Sequence, residues 1–549
     1  MSDHYLDLVA GLAMPESHGS MAPGNVLQSI EQLPLASPVL AAGKLLQILD
    51  SLLHGSSGTP ADRSRALASL QMPLQALTAG LLKQIAVEGH PLPSAKAEMA
   101  RTLFSACCRH GDACCLAVYE ATAPGGKVSL FSRGSISRLL ARAMDSLGMA
   151  LRLSYQLYEV PPATPWQRLH AAYAYAAEHK LGGREVDIDG YRGSLRDRYA
   201  SSLLLALSNP FAFQRDEMTR VVRACRALAP QAALIGSLGG TAAVTSASAS
   251  GGPGYLPQER AKPGHGHWSL DLEPVIDAVR DQLAWTPAEQ PATLRPQHGE
   301  PVEIPRYLLE RLAKAWVGTV ERDHARADAE HSLEAVLGLH ALHQALAGGL
   351  NFESFQHQIH GREIELSGQD AASWVGARGS AGAAQLDVQI LDQSLGGYRL
   401  QWPLQQRQRV HIGELVGLSA QAGGATNEAP WLIGIVRWLR SERNGDLQVG
   451  VELLSRHARP AAVRGRFDEG ERGPMQRALL LDAEAGGESE LLLPRIGESM
   501  LHAAEITAPA DRLRDVPALR AALREFAAAE ALGSGYYRVS LSPPADAAS

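Results

Sequence analysis

Cysteine and aromatic residues are scarce in this sequence. Five of its 549 residues are cysteines, and aromatic residues make up 5% of the chain. An odd and small number of cysteines does not provide the disulfide framework of a small secreted protein. We therefore expect reduced thiols and a cytoplasmic location. The low aromatic content argues against a chain of β-sandwiches or propellers, and the abundance of alanine, leucine and glycine favours helices with loose connections.

Long apolar runs and an excess of positive charge are also missing. No stretch reaches about 18 uninterrupted apolar residues, so we expect no membrane insertion. Residues 1–5 lack the basic region and the apolar region of a signal peptide. Lysine and arginine number 51 against 58 aspartates and glutamates, which gives a net charge of −7. This balance disfavours binding to DNA or RNA but leaves room for a local basic site that holds a small anion.

Motifs of the common catalytic and cofactor sites are absent too. Residues 236–241 are rich in glycine, but they have neither the lysine of a phosphate-binding loop nor the GxGxxG order of a dinucleotide site. His340 and His343 share a predicted helix without the glutamate of an HExxH zinc motif. Since no GxSxG nucleophile motif occurs either, we expect no enzymatic activity, no metal and no cofactor.

Four cysteines form the adjacent pairs Cys107–Cys108 and Cys114–Cys115. Their seven-residue spacing places both pairs on one face of a helix. Structural zinc usually takes its cysteines from a turn, as in CxxC. We therefore interpret the four as small buried residues in a seam between helices, with redox or metal chemistry as the alternative.

Residues 25–230 have apolar residues at helical spacing, which predicts a helical array. Consecutive helices with short loops pack as antiparallel neighbours by default. The predicted helices are Val26–Leu53 with a proline break, Arg65–Val87, Ala95–Tyr119, Ser135–Leu157, Pro165–His179, Leu195–Leu207 and Arg215–Leu228.

Residues 236–267 have few large apolar side chains, so we interpret them as a linker or an irregular segment. We expect short strands near residues 232–235, just before it, and near residues 242–245 within it. Helices return at Leu272–Leu283 and Ile304–Val320. From Leu386 the apolar period becomes two, which predicts antiparallel strands. These strands are Leu386–Leu391, Gly397–Trp402, Trp431–Arg440 and Leu447–Leu454, with a hairpin tip at Asn444–Gly445.

The residues after Gly465 predict a second, smaller β unit. Its predicted elements are strands at Arg477–Leu481, Glu490–Pro494, His502–Thr507 and Tyr536–Leu541, and a helix near Val516–Ala529.

The segment Asp392–Gly397 fits the pattern D-x-S-x-x-G between two predicted strands. Alone, this pattern is typical of a plain β-turn. It is followed by Gly434–Trp438, which reads G-I-V-R-W, and by Gly450–Leu454, which reads G-V-E-L-L. Together the three segments resemble the PilZ domain family, whose small β-barrels bind the second messenger cyclic di-GMP. The resemblance covers about residues 310–465.

The PilZ family also has an R-x-x-x-R motif ahead of the first barrel strand. Arg322 and Arg326 fit this motif, and the apolar segment Leu333–Leu342 after them would supply the strand. Arg326 and Asp392 are 66 residues apart, a longer separation than is usual in the family. The resemblance therefore implies an insertion near residues 344–384.

The resemblance implies that Arg322, Arg326, Asp392, Ser394 and Gly397 bind cyclic di-GMP. A guanidinium can bind the adjacent O6 and N7 acceptors of guanine with two hydrogen bonds, and it can also stack on the purine. A carboxylate can accept hydrogen bonds from the guanine N1–H and N2–H₂ groups. A hydroxyl adds a further contact, and a glycine lets the backbone approach the ligand closely.

The predicted fold class is a multidomain α+β protein. It comprises an N-terminal all-α helical array, a PilZ-like antiparallel β-barrel and a second small β-rich unit. The expected domains are a helical interaction region (1–235), a linker (236–267), a helical lead-in with the barrel (268–465) and the C-terminal β-rich unit (466–549).

The predicted function is a signalling receptor or adaptor that senses cyclic di-GMP and passes this state to an unidentified protein partner through the helical region. Residues 166–173 and 204–210 look like the helical N-terminal half of some large proteobacterial PilZ proteins. The alternative is a degenerate PilZ scaffold, which binds no nucleotide and acts as a protein–protein interaction module.

Overall fold

The chain folds into two compact units, Met1–Glu321 and Arg322–Ser549. The structure is a computed structural model. It describes residues 4–12, 23–54, 59–235, 242–246, 251–255, 267–287, 290–318, 327–328, 331–360, 386–403, 409–420, 431–442, 446–466, 472–482, 489–495, 503–511, 514–532 and 535–542.

The first unit is mainly helical, as the sequence predicts. Each predicted helical run overlaps observed helices, and the last two runs before residue 230 have the observed bounds. The helices are α1 (Pro23–Glu31), α2 (Pro38–His54), α3 (Pro60–Ile85), α4 (Ser94–Ala121), α5 (Arg133–Gln156), α6 (Ala163–Glu178), α7 (Leu195–Leu207), α8 (Arg215–Leu228), α9 (Glu273–Trp285) and α10 (Arg306–Val317). No helix in the described part of the chain is both long and apolar enough to cross a membrane.

Side-chain caps define where two of these helices begin. Thr59 accepts a hydrogen bond from the backbone N–H of Asp62, whose carboxylate accepts one from the Thr59 N–H in return. Ser194 and Asp197 make the same reciprocal pair at the start of α7. Each capping box satisfies two backbone donors that an α-helix leaves unpaired at its first turn.

Helix α4 lies in the core of the first unit, and the cysteine pairs lie on it. Cys107, Cys114 and Cys115 are completely buried. Burial raises the pKa of the Cys107 and Cys115 thiols to about 12, so both stay protonated at neutral pH. Among the described residues, no three His, Cys, Asp or Glu side chains form a group that could hold a metal ion. The burial agrees with the interpretation of these cysteines as packing residues.

Buried arginines connect the helices through main-chain carbonyl groups. Arg168 of α6 is 5% exposed, and its Nε lies 2.9 Å from Oδ1 of Asp112 on α4. Its two terminal nitrogens donate to the carbonyl oxygens of Asp7, Leu8 and Ala10 at 2.6–3.1 Å. One guanidinium therefore holds the N-terminal turn and two helices together, with its charge balanced by one carboxylate.

Arg215 of α8 makes a second set of carbonyl contacts. Its Nε donates to the carbonyl oxygen of Gln156 at 2.8 Å and one Nη donates to that of Glu88 at 2.6 Å. The guanidinium also lies over the ring of Tyr158, 4.6 Å from its centroid. These contacts join α8 to the segments that follow α3 and α5.

Short strands form small sheets in the first unit. β1 (Glu185–Ile188) pairs with β2 (Tyr191–Ser194), and β7 (Ala292–Leu294) pairs with β8 (Val302–Ile304). The four-stranded sheet has the order β3-β6-β4-β5 and comprises β3 (Ala233–Ile235), β4 (Ala242–Ser246), β5 (Gly254–Tyr255) and β6 (His267–Asp271). The expected linker thus contributes strands to this unit. Helices α9 and α10, which the sequence analysis joined to the barrel domain, belong to it as well.

The second unit begins with a seven-stranded antiparallel sheet in the order β10-β13-β14-β15-β12-β11-β9. An additional pairing of β10 with β11 closes six of these strands into a barrel. The strands are β9 (Ala327–Asp328), β10 (Ser332–Leu337), β11 (Leu386–Ser394), β12 (Gly397–Trp402), β13 (Leu415–Ala420), β14 (Leu432–Ser441) and β15 (Leu447–Ser455).

The predicted strands from Leu386 onward are confirmed, but two features of this barrel differ from expectation. The apolar segment 333–342 is a strand only as far as Leu337, because helix α11 (Gly338–Leu346) starts there and is followed by α12 (Phe352–His360). The sequence analysis also missed β13. Asn444 and Gly445 lie outside the described residues, so the hairpin tip stays a prediction, although Ser441 and Leu447 on either side pair with each other.

A second closed barrel follows, with the strand order β16-β17-β18-β21-β20-β19. Its strands are β16 (Ala458–Arg466), β17 (Arg472–Leu481), β18 (Glu490–Pro494), β19 (Ala503–Ala508), β20 (Leu519–Leu532) and β21 (Tyr536–Leu541). It begins at Ala458, not near residue 466. Buried Leu479 and Leu481 of β17 pack with Val336 and Ile433 of the first barrel, so the two barrels share an apolar cluster.

The helix predicted near Val516–Ala529 is wrong. This segment is the strand β20, which hydrogen-bonds to β19 on one edge and to β21 on the other. Its alanines and leucines favour a helix locally. Pairing with two neighbours satisfies the main chain on both edges and closes the barrel, so tertiary context overrides the local preference.

Replacing Asp112 with alanine should destabilise the first unit by about 3–5 kcal/mol, because the buried Arg168 would lose its only ion-pair partner among the described residues. Chemical denaturation followed by circular dichroism measures this change. Glu159→Ala is the control. Glu159 forms an ion pair with Arg101, but the two side chains are 37% and 64% exposed, so the pair should contribute at most about 1 kcal/mol to the free energy of unfolding. Equal losses in the two variants would contradict the prediction.

Candidate ligand-binding site on the first barrel

Strand β11 carries the D-x-S-x-x-G segment and has different neighbours along one edge. Its first residues pair with β10, and Asp392 and Gln393 near its end pair with Asp328 and Ala327 of β9. On its other edge, residues 389–394 pair with β12, with a register shift between Ile390 and Asp392. The end of β11 is thus flanked by a short strand that does not take part in closing the barrel.

Asp392 forms an ion pair across the hairpin. It is 6% exposed, and its Oδ2 lies 2.7 Å from Nε of Arg399, which stands directly opposite on β12. Arg399 itself is 39% exposed. The pair therefore has a buried carboxylate and a guanidinium that reaches solvent. Asp392 and Arg399 thus place hydrogen-bond acceptors and donors side by side on the barrel, and recognition of a guanine needs both.

Ser394 and Gly397 lie at the two ends of the hairpin turn. The Ser394 hydroxyl donates to the Gly397 carbonyl oxygen at 3.4 Å. Leu395 at the tip is 71% exposed, and its carbonyl oxygen accepts a hydrogen bond from Arg456 at 3.4 Å. The backbone N–H of Leu453 donates to the Gly396 carbonyl at 2.9 Å. The turn is thus fixed against the end of β15, and its outer side faces solvent.

The barrel demands glycine at position 397. A Cβ on this residue would lie 2.1 Å from the carbonyl oxygen of Val451 and 3.2 Å from Cα of Glu452. Both atoms belong to the backbone of β15, which pairs with β12 in this register. The packing of the barrel therefore requires glycine at the last position of the motif, independently of any ligand.

The other motif segments pack against each other beside this hairpin. A Cβ on Gly450 would lie 1.9 Å from Nε1 of Trp438, so the missing side chain makes room for the indole. Arg437 pairs with Glu452 across the two strands at 2.6 Å. The G-x-V-R-W and G-V-E segments thus lie on the two strands of one hairpin, where their side chains pack and pair with each other.

The two arginines of the R-x-x-x-R motif, Arg322 and Arg326, lie outside the described residues. In the sequence, Arg326 directly precedes Ala327, whose backbone pairs with Gln393. Arg378, which stands alone in the expected insertion, is outside the described residues as well.

Two family models match the chain. One is described as the N-terminal domain of cyclic-di-GMP receptor FimW and matches residues 25–237. The other is described as the middle PilZ domain of that receptor and matches residues 244–385 and 377–460. The chain belongs to the PilZ domain family. The match to the second model covers the barrel that carries Asp392, which confirms the family predicted from the motifs.

A curated relative of this PilZ protein is the cyclic-di-GMP receptor FimW of Pseudomonas aeruginosa. It is 27% identical over 400 residues, which are 63% of this chain and 63% of the relative. The chain thus matches less than two thirds of the relative's length.

Arg399 is a candidate site residue of the PilZ barrel that the sequence analysis missed. The turn between Ser394 and Gly397 has two residues, and in an antiparallel hairpin this loop length fixes the register. Counting back from the turn places Arg399 opposite Asp392. The pair could therefore have been found from the sequence once the motif was interpreted as a two-residue hairpin.

Gly397→Ala should destabilise the second unit by at least about 1–3 kcal/mol, because the added methyl group overlaps the backbone of β15 and the strands must separate. Thermal unfolding of the full chain without ligand measures the effect. Gly535→Ala is the matched control in the same unit, since the nearest atom to its Cβ is 3.9 Å away. If both variants melted at the wild-type temperature, the packing argument would be wrong.

Proposed function

We propose that this chain is a cyclic di-GMP receptor that binds its ligand on the first barrel. Arg322, Arg326, Asp392, Ser394 and Gly397 would form the site. The observation that carries the proposal is the buried carboxylate of Asp392, which lies at the end of β11 next to β9, the strand that follows Arg326 in the sequence. The matches to the FimW models and to the FimW relative support the same ligand.

The pairing of β9 with β11 supports the proposal despite the 66 residues between Arg326 and Asp392. Consecutive Cα atoms are about 3.8 Å apart, and Ala327 pairs with Gln393. Ala327, which follows Arg326 in the sequence, thus lies beside the end of β11, whatever the length of the intervening segment. A long insertion between the two motifs is therefore compatible with one binding site.

The chemistry of the ligand matches these groups. Each guanine presents two adjacent acceptors on one edge, which suit a guanidinium, and donors on the other edge, which suit a carboxylate. The two phosphates carry negative charge, and Arg399 offers a partly exposed guanidinium next to Asp392. Charge-assisted contacts of this kind are about twice as strong as neutral hydrogen bonds.

We further propose that ligand binding passes a signal to a protein partner of the helical half. The match of residues 25–237 to the N-terminal domain model of the FimW receptor supports a role of the helical half in the same receptor. This role involves binding alone and no catalysis, and it fits the cytoplasmic location expected from the sequence.

A scaffold without nucleotide binding is the second candidate. It is favoured by the internal ion pair between Asp392 and Arg399, because a carboxylate that already has a cationic partner gains less from a ligand. The close packing at Gly397 and Gly450 would also persist in such a scaffold, since it serves the barrel itself.

Arg326→Ala should weaken cyclic di-GMP binding by about 1–3 kcal/mol, or roughly 5- to 150-fold, because one bidentate contact to guanine is lost. Isothermal titration calorimetry of the full chain measures the affinity. Arg440→Ala is the control, since Arg440 is exposed and pairs with Gln448, at the other end of β15 from Glu452. Thermal stability should change little in either variant.

The outcomes of this titration separate the two candidates. Loss of affinity in Arg326→Ala with unchanged affinity in Arg440→Ala supports the receptor. A wild-type chain that gives neither heat nor a melting shift at saturating cyclic di-GMP favours the scaffold.

Hydrogen–deuterium exchange should slow in peptides that cover residues 319–331 when cyclic di-GMP is added. The reason is that contacts to Arg322 and Arg326 would restrict the opening of this segment. Peptides from the interior of α4 serve as the internal control and should not change. Unaltered exchange at residues 319–331 with saturating ligand, while calorimetry reports binding, would show that the ligand binds elsewhere.

A further inference from the structure

A basic cleft lies between α5, α7 and α8 in the first unit, apart from the PilZ barrel. It is partly open to solvent and has a cavity volume of about 30 Å³, so a group that enters it can extend into solvent. Polar groups from all three helices line it together with Met144, Met149 and Leu205. The polar lining residues used below are Asp145, Arg152, Arg198, Ser201, Ser202 and Arg226.

Two of the three arginines in the cleft have no carboxylate partner among the described residues. Arg198 is balanced by Asp145, with an Nη1 to Oδ1 distance of 2.6 Å. Arg152 donates to the Thr219 hydroxyl at 2.9 Å, a neutral partner. In the described part of the chain, no carboxylate oxygen lies within 4.0 Å of Arg152 or Arg226. The cleft therefore has two positive charges that remain to be balanced.

The surroundings of Arg152 confirm that its charge is poorly compensated. Burial and the nearby Arg226 together lower the pKa of Arg152 to about 10. The Nε groups of Arg152 and Arg198 are buried and have no hydrogen-bond partner among the described residues. Buried donors without acceptors are costly, so an acceptor that enters the cleft would be stabilised by both its charge and its hydrogen bonds.

Tyr191 positions two of the guanidinium groups. Its ring centroid lies 4.3 Å from Cζ of Arg198 and 4.7 Å from Cζ of Arg226. Cation–π contacts of this kind reduce the freedom of the arginine side chains. Ser201 and Ser202 already donate their hydroxyl protons to the carbonyl oxygen of Arg198, so the arginines are the donors that an incoming anion would meet.

We propose that this cleft binds a phosphoryl group. Two uncompensated guanidinium charges match a phosphate monoester or free phosphate, which carries about −1.5 to −2 at neutral pH, whereas a carboxylate balances one. Arginine also fits phosphate oxygens with paired hydrogen bonds. The site lies in the other unit from the proposed cyclic di-GMP site and does not depend on it. The source of the phosphoryl group is either inorganic phosphate or a small phosphate monoester.

Calorimetry and thermal unfolding of the full chain test this site, with inorganic phosphate, phenyl phosphate and acetate as probes in chloride buffers of equal ionic strength. Phosphate and phenyl phosphate should bind the wild-type chain and raise its melting temperature, and acetate should not. Arg226→Gln should weaken phosphate binding roughly 10-fold or more, because a charged hydrogen-bond donor is lost. Arg223→Gln is the matched control, since Arg223 lies on the same helix, is exposed and does not line the cleft.

Each outcome decides the proposal. Tighter binding of phenyl phosphate identifies a monoester site, and tighter binding of inorganic phosphate identifies a site for the free ion. Equal binding shows that the cleft recognises the phosphoryl group alone. No shift with either phosphate, an equal shift with acetate, or full binding by Arg226→Gln would overturn it. Arg152→Gln replaces Arg226→Gln if circular dichroism shows that the latter is unfolded. Both variants should titrate cyclic di-GMP like the wild type, which separates failure of this site from failure of the barrel site.

Discussion

The first barrel depends on β11 pairing with two different strands along one edge. Its early residues pair with β10 and close the barrel, while Asp392 and Gln393 pair with β9. Between them, the backbone N–H of Ile390 donates to the carbonyl oxygen of His331 at 2.8 Å. This hydrogen bond keeps the edge of β11 occupied between its two partners. One strand thus closes the barrel and also places the segment that follows the R-x-x-x-R motif next to Asp392.

The helical half and the motif strands were predictable from the sequence because their information is local. Apolar spacing and reciprocal caps such as Thr59 with Asp62 identify helices. Alternation and turn residues identify strands such as Gly397–Trp402. The strand Leu519–Leu532 was not predictable in this way, since its alanine-rich composition favours a helix and only its pairing with both neighbouring strands makes it a strand.

The candidate site was predictable only in part. The motif identifies Asp392, Ser394 and Gly397 directly, whereas Arg399 follows only from the register that the two-residue turn fixes. The proximity of residues 327–328 to Asp392 depends on a pairing across more than sixty residues of sequence. Such non-local pairing has no periodic signature, so sequence reasoning could propose it by resemblance alone.

The packing of the barrel decides which substitutions can test ligand binding. Gly397 and Gly450 make room for the backbone of β15 and for Trp438, so a scaffold without ligand would need them as much as a receptor. Asp392 could serve both purposes, because its ion pair with Arg399 joins two strands of the barrel and its carboxylate also suits guanine. Substitution of the glycines therefore tests construction of the barrel and cannot by itself test recognition of the ligand.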